Sequence, residues 1–281
     1  MKSFKNRLTI GTILGIFLVF GVLVQTRFYS QSSTKVNKKE VTVAPTVSSL
    51  SPTATQESSV VQTSGFCLSV PILLYHHVQP AGNQGSPSVD NDIFDQQMAY
   101  LASSGYTAIS AEQLVNALRT HTTLPPKSIL ITLDDGYRDA YDYAYPILQK
   151  YHLNFNLMII TGLVGSPNYL SWGQIGEMKG SGLAYFSDHT WSHYTLTRGP
   201  LDKVKFEIET AKQQLQDHTG QKIDIFTYPY GSFNDSVISV LQQDEFIGAF
   251  STIPGFWQCD SFIFNLHRNR IGNAPLSVYG L

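Results

Sequence analysis

Several things are scarce in this chain. Two cysteines in 281 residues are too few for a disulfide-dense mini-scaffold or a thiolate zinc cluster. Charged residues make up 14% and the net charge is −2. The body has no run of Lys and Arg, which argues against the basic face that grips nucleic acid. No segment repeats another. Against these absences stand a 42% apolar content, 16 Phe and 15 Tyr. That composition supplies a sizeable core and excludes a wholly disordered chain. The length allows one or two domains, and single α/β domains of about 200–250 residues are common.

The first 65 residues differ from the rest. Lys2, Lys5 and Arg7 precede 17 uncharged residues, Leu8 to Val24, close to the shortest helix that spans a bilayer. Residues 1–29 therefore read as a cytoplasmic basic flank and a membrane anchor. A cleavable signal peptide is the alternative, with a weak small-x-small site at Ser30-Gln31-Ser32. Residues 30–65 are rich in Ser, Thr, Val and Pro and read as an extended linker. The first 65 residues carry seven Lys/Arg and two Asp/Glu, whereas residues 66–281 carry 12 and 19. An acidic body suits a neutral or cationic substrate better than an anionic polymer. Cys67 and Cys259 lie near the two ends of that body, where an oxidising compartment would let them pair.

From residue 70 onward, short apolar runs alternate with helical stretches. Strands are predicted at 71–78, 107–110, 128–133, 155–160, 184–187, 225–228 and 248–252. Helices are predicted at 94–102, 111–118, 138–151, 171–179, 201–218 and 235–243. Apolar runs bounded by turns and separated by helices argue for a parallel sheet. Seven such units suit a closed or nearly closed α/β barrel.

In such folds the working residues sit beyond the carboxyl ends of the strands. Those positions hold His76-His77, Asp134-Asp135, Asp188-His189 and Tyr228-Pro229-Tyr230-Gly231. Adjacent carboxylates repel unless a cation is near, and adjacent side chains diverge, so Asp134 and Asp135 can do different work. A turn with an Asp helix cap is the plainer reading of Asp-Asp-Gly. His189 and His193 stand four apart, a spacing that on a helical turn faces both rings to one cation. With Asp135 they make a three-ligand set with open positions, the pattern of a catalytic metal site. Nitrogen and oxygen donors suit Zn²⁺, with Co²⁺, Mn²⁺, Fe²⁺ and Ni²⁺ as alternatives. Asp134 then serves as base for water, and backbone N–H groups near Tyr230 face the oxyanion. The residues alone thus reach metal-assisted hydrolysis of an acyl or amide bond.

Thr132-Leu133-Asp134-Asp135-Gly136-Tyr137 resembles the first motif of the polysaccharide deacetylase family (NodB-homology domains, carbohydrate esterase family 4). His189-Thr190-Trp191-Ser192-His193 resembles the second, and Tyr228-Pro229-Tyr230-Gly231 the core of the third. Leu74-Tyr75-His76-His77 and Leu170-Ser171-Trp172 look like marks of the subgroup acting on poly-N-acetylglucosamine or cell-wall glycans. The resemblance spans about residues 66–275. It implies a distorted (β/α) barrel of about seven parallel strands over residues 66–281. It also implies metal-dependent removal of acetyl groups from an N-acetylated, or O-acetylated, polysaccharide. Asp134 is the implied base, and Asp135, His189 and His193 the implied metal ligands. Tyr230 is implied to offer its N–H to the oxyanion and its side chain to the substrate wall. Two departures stand out. Where many members carry an Arg that orients the base, this chain has Thr227. The general acid is His76, His267 or a water, with His267 lying within Leu266-His267-Arg268-Asn269-Arg270-Ile271, which looks like the subgroup's terminal strand. Trp172 reads as core rather than sugar groove, Trp257 as a possible acyl-pocket wall, and Asp188 as a support for His189. The expected protein is a membrane-tethered, extracytoplasmic enzyme with a monomeric catalytic domain and no nucleic-acid partner. A barrel hydrolase of a small amide, or a silent glycan-binding module, are the alternatives.

Overall fold

The computed structural model describes residues 65–82 and 87–281. The expected anchor or signal peptide and all of the expected linker except Gly65 lie outside the described residues. Among the described residues no helix is long and apolar enough to cross a membrane.

The first half of the chain runs β1 (Cys67–Ser69), β2 (Ile72–Tyr75), β3 (His77–Gln79), β4 (Ser88–Asp90), α1 (Asn91–Ser103), β5 (Thr107–Ala108), α2 (Ala111–Thr120) and β6 (Ser128–Leu133). There follow α3 (Tyr145–Lys150), β7 (Phe155–Ile159), α4 (Trp172–Gly180), β8 (Ala184–Asp188), α5 (Leu201–Thr219) and β9 (Ile225–Thr227). The chain closes with α6 (Asp235–Gln243), β10 (Gly248–Phe250), β11 (Trp257–Cys259) and β12 (Asn269–Arg270). Seven strands form a parallel sheet in the order β10-β9-β8-β7-β6-β2-β12, and β5 pairs with the start of β6.

The sheet curves into a half-barrel. The segment that ends in the edge strand β12 also bonds to β10 at the other edge. Leu266 N donates to Ala249 O beside β10 (2.9 Å), and three residues later Asn269 and Arg270 pair with Leu73 and Leu74 of β2. The alternation expected of strands orders the two faces. Ile129, Ile131 and Leu133 of β6 join the larger apolar cluster with the helices. Leu130 joins a second cluster with Ile72, Met158, Ile225 and Phe250 from other strands of the sheet and with Leu266. On the same face as Leu130, one and two pleats further along, come Thr132 and Asp134. That face is therefore apolar at the start of the strand and polar where the strand ends. Every residue of β6 and β7 is buried, as expected when both faces of a parallel sheet are covered.

Local chemistry explains most boundaries. Ser110 and Gln113 form a capping box at α2, Ser171 and Gln174 another at α4, and Asn234 caps α6. Helix α5 buries Val204, Ile208, Ala211 and Leu215 at helical spacing and ends at Gly220 in the left-handed region.

The structure corrects several expectations. The strand expected over 71–78 is two strands broken at His76. The helix expected over 138–151 starts with a π-helical turn, Ala140–Ala144, before α3. Pro146 follows that turn and lacks the N–H that would extend a regular ladder back through it. Strands β1, β4 and β11 were not anticipated, whereas β12 falls in the stretch that resembles the subgroup's terminal strand. Cys67 and Cys259 form a disulfide between directly opposed positions of the antiparallel pair β1 and β11, with Cα atoms 4.1 Å apart.

Candidate active site at the strand ends

Beyond β6 the chain turns sharply. Asp134 N donates to Tyr75 O (2.9 Å) as the last extension of the ladder. Asp135 and Gly136 then both take left-handed backbone, with φ of 72° and 73°. A Cβ at Gly136 would stand 3.2 Å from the Ile159 side chain, so the turn and the close approach both favour glycine. The turn sends two buried, adjacent carboxylates into different surroundings.

Asp134 meets a fork. Arg268 Nη1 donates to Oδ1 (2.7 Å) and Nη2 to Oδ2 (2.8 Å). Arg268 is 1% exposed and is itself held, Nε donating to Ser251 O (2.9 Å) and Nη1 to Thr132 Oγ1 (3.2 Å). Burial pushes the Asp134 carboxyl up, but the charge and hydrogen bonds of Arg268 outweigh it and hold the group below the usual carboxylate range. Thr227, where the sequence lacks the expected Arg, leaves this task to the segment just before β12. In the sequence, 266–271 resembles a terminal strand with a candidate histidine, and nothing there marks Arg268 as the partner of Asp134. Adjacent residues of an extended segment point to opposite sides, so Arg268 reaches Asp134 while the His267 ring stacks on Phe262 (4.6 Å).

Asp135 meets imidazoles. Its Oδ1 lies 3.2 Å from His189 Nε2 and 3.4 Å from His193 Nε2, and ligand atoms of all three residues lie within 4.8 Å of one another. His189 Nδ1 lies 2.8 Å from Thr227 O. A carbonyl can only accept, so Nδ1 carries a proton, and Nε2 is turned toward Asp135. Burial lowers the His189 pKa, but the hydrogen bond and charge of the neighbouring carboxylates raise it overall. Asp135 Oδ1 is buried and has no hydrogen-bond partner. Asp135 Oδ1 and the Nε2 atoms of both histidines converge on one point, a donor set that fits a divalent cation. Burial raises the Asp135 carboxyl, but His189 and then His193 draw it well below its ordinary value. Burial, and then His189 beside it, push His193 down to about 4.

The two histidines do not share a helical turn as their spacing suggested. Residues 189–194 form an irregular loop in which Thr190 and His193 take positive φ. The loop is fixed from α5. Glu207, fully buried, accepts from Ser192 N and Ser192 Oγ, both at 2.7 Å, and its backbone oxygen accepts from Trp191 N (2.9 Å). Lys203 compensates its charge at 2.6 Å. Sequence reading missed Glu207. Its signal was a carboxylate inside the apolar stripe of α5, between Val204 and Ile208. Asp188, expected to support the His189 ring, instead accepts from Thr190 N (2.7 Å), and burial pushes it well up.

His76 stands at the break between β2 and β3. Its Nδ1 is buried without a partner. Burial lowers its pKa against the pull of Asp134 and Asp135. His77, which the strand-end rule grouped with it, turns elsewhere: its Nδ1 lies 2.6 Å from Asp139 Oδ2. Tyr230 takes φ 60° and is 66% exposed, with its ring 4.4 Å from that of His193. Gly231 follows at φ 68°, where a Cβ would come within 2.9 Å of Thr252 N. Trp172 packs on the larger core and stacks on His218 (3.9 Å), as the core reading expected. Trp257 is exposed on β11.

The chain was compared with known proteins. The sequence profile described as polysaccharide deacetylase matches residues 121–247. YxkH of Bacillus subtilis, named for the same family, is 28% identical over 202 residues, 72% of this chain and 71% of that one. The poly-beta-1,6-N-acetyl-D-glucosamine N-deacetylase of Staphylococcus epidermidis is 27% identical over 172 residues, 56% of this chain and 58% of that one. Among solved structures, the Streptococcus pyogenes deacetylase PplD, in complex with acetate, superposes with a TM-score of 0.69. It is 30% identical, over 73% of this chain and 92% of that one. Fold, motif order and these likenesses agree: the chain belongs to the polysaccharide deacetylase family.

Proposed function

We propose that this carbohydrate deacetylase is a metal-dependent de-N-acetylase of a surface polysaccharide built from N-acetylglucosamine, working outside the cytoplasm on a membrane tether. One observation carries the chemistry. Two adjacent carboxylates are split by a left-handed turn, one onto an arginine fork and the other onto two histidines. The likeness to an enzyme named for poly-β-1,6-N-acetylglucosamine supports the substrate class. The basic flank and 17-residue uncharged run support the location.

Asp135, His189 and His193 would hold the cation, with zinc favoured by the donor set and cobalt, manganese, nickel or iron as alternatives. When bound, such an ion supplies Lewis acidity to an acyl oxygen and to water. Asp134 stays ionised near neutrality and is fixed in direction by Arg268, so it can take a proton from the attacking water without first reorganising. Each of its oxygens keeps acceptor capacity beyond the arginine bonds. His76 lies near enough to both carboxylates for their charges to act on its ring, and its Nδ1 has no partner, so it would be the group that gives a proton to the departing amine. Tyr230 would line the substrate, and its backbone N–H would face the developing oxyanion.

The test is acetate release by the full-length protein from N-acetylglucosamine oligomers and from peptidoglycan, after metal removal and after adding back zinc or cobalt. Metal-restored release of acetate is expected. Stoichiometric metal with no acetate from either glycan would overturn the substrate class, and no metal binding at all would overturn the catalytic reading.

A further inference from the structure

Arg268 reaches both oxygens of Asp134 only if the backbone beneath it stays in place. On one side its segment is bonded to β10 and to the residues beyond it. Leu266 N donates to Ala249 O, and Arg268 N to Ile253 O, both at 2.9 Å. Successive residues of an extended chain turn their backbone groups to opposite sides. The N–H and C=O of His267 therefore face the other way, toward β2. The pairing of β12 with β2 begins only at Asn269, so His267 falls one rung short of it.

Gln258, fully buried, fills that rung. Its Oε1 accepts from His267 N at 2.9 Å. Its Nε2 donates to His267 O at 3.0 Å and to Val70 O, just before β2, at 3.2 Å. A primary amide offers the same donor and acceptor types as a peptide group, so this side chain does what an adjoining strand would do. Asn269 works in the opposite direction. Its Oδ1 accepts from Gly255 N at 3.1 Å, and its Nδ2 donates to Gly255 O at 2.9 Å. The two segments approach closely, since a Cβ at Gly255 would stand 2.8 Å from His267 Nδ1. Amide bonds at His267 and at Asn269 thus hold the backbone on either side of Arg268.

Resting on the reading of Asp134 as the base, we propose that Gln258, with Asn269, is a positioning residue for the reaction. It fixes where Arg268 sits along its strand, and through the guanidinium fork it fixes the direction of the Asp134 carboxylate. A two-pronged contact is exacting, because a small slide of the backbone breaks one prong. Without the Gln258 amide, the backbone of His267 is unpaired on that side and the segment is free to shift toward other partners.

The experiment compares full-length wild type with Gln258→Met, which keeps the length of the side chain and removes its hydrogen bonds, and with Asn269→Ala. Each change is also made together with Arg268→Lys. Acetate release from N-acetylglucosamine tetramer and bound metal are measured. Labelling of Arg268 by phenylglyoxal is followed by peptide mass mapping. In each single variant kcat is expected to fall about tenfold, within the range that a misplaced catalytic group causes, with KM and metal content unchanged. On top of Arg268→Lys the same changes are expected to cost less than about twofold, since the fork they serve is already gone and coupled residues do not add. Arg268, buried in wild type, is expected to be labelled faster in both single variants. Equal losses with and without Arg268→Lys would overturn the proposal, because the amides would then serve the fold alone. An unchanged kcat in both variants, or a loss of metal, would overturn it too. If wild type releases no acetate, the substrate reading fails on its own. The positioning of Arg268 is then judged by labelling: a faster rate in either variant supports it, and an unchanged rate removes it. Asn269 is only half-buried, so its variant still reports if Gln258→Met folds poorly.

Discussion

Asp134 and Asp135 are neighbours in sequence, equally buried, yet their surroundings are opposites. The Asp134 side is complete within the chain: a guanidinium from the segment just before β12 meets both oxygens and is itself bonded to Ser251 and Thr132. The Asp135 side is incomplete, because its oxygen faces imidazole nitrogens and has no donor. A buried carboxylate needs compensation. The chain provides it permanently on one side and, on the proposed reading, leaves it to a bound cation on the other. On that reading, the first arrangement keeps a base ionised and aimed, and the second keeps a site that can be loaded and stripped.

The contrast can be broken from either side, and the largest effect belongs to the incomplete half. His193→Ala is expected to lose bound metal and to reduce acetate release to background, read by metal analysis and turnover together. Asp134→Asn removes the base and leaves the ligands. Its metal content is expected to match wild type while turnover falls about 10²–10⁴-fold. Near-wild-type turnover there would undo the division of labour. Arg268→Ala leaves Asp134 buried and unpaired, at a cost of about 3–5 kcal/mol in a denaturation experiment. Arg268→Lys is expected to recover only part of that, since a point charge does not reproduce the two-pronged contact.

Smaller effects sharpen the comparison. Glu207→Gln loosens the loop between the two histidines without touching a ligand. Metal affinity is expected to weaken about 10–100-fold, measured by competition with a chelating dye. Last comes pH. In the metal-free protein His193 is pushed down to about 4, against about 6.5 for an unfolded histidine. Between those values the unfolded chain holds more protons than the folded one, so this residue makes stability rise with pH across that window. Denaturation of metal-free protein is expected to show a loss on acidifying from 6.5 to 4, and that component is expected to be absent in His193→Ala.

The strand-end chemistry was legible before the fold was seen. Asp134, Asp135, His189 and His193 each follow an apolar run, and parallel sheets gather such positions. What stayed hidden depends on backbone sign and on long-range partners. Left-handed φ at Asp135, Thr190, His193 and Tyr230 has no signature in non-glycine residues. The loop at His189 was therefore misread as a helical turn. Arg268 lies 134 residues from the group it serves, and its position in a run scanned for histidine drew attention to the wrong neighbour. Glu207 was visible as a charge in an apolar stripe but not as the partner of Ser192. The short strands β1 and β11 hold three residues each, too few for alternation to show, and only their cysteines hinted at the pairing.

The disulfide between those strands has a topological consequence. Cys67 and Cys259, 192 positions apart, turn the chain between them into a covalent ring. His76, Asp134, Asp135, His189, His193 and Tyr230 all lie inside it, and Arg268 lies outside. A single proteolytic cut in any loop of the ring leaves both fragments tethered, so a nicked protein keeps its catalytic parts in one molecule. A cut between Cys259 and Arg268 is different: it frees the one side chain that holds Asp134 in place.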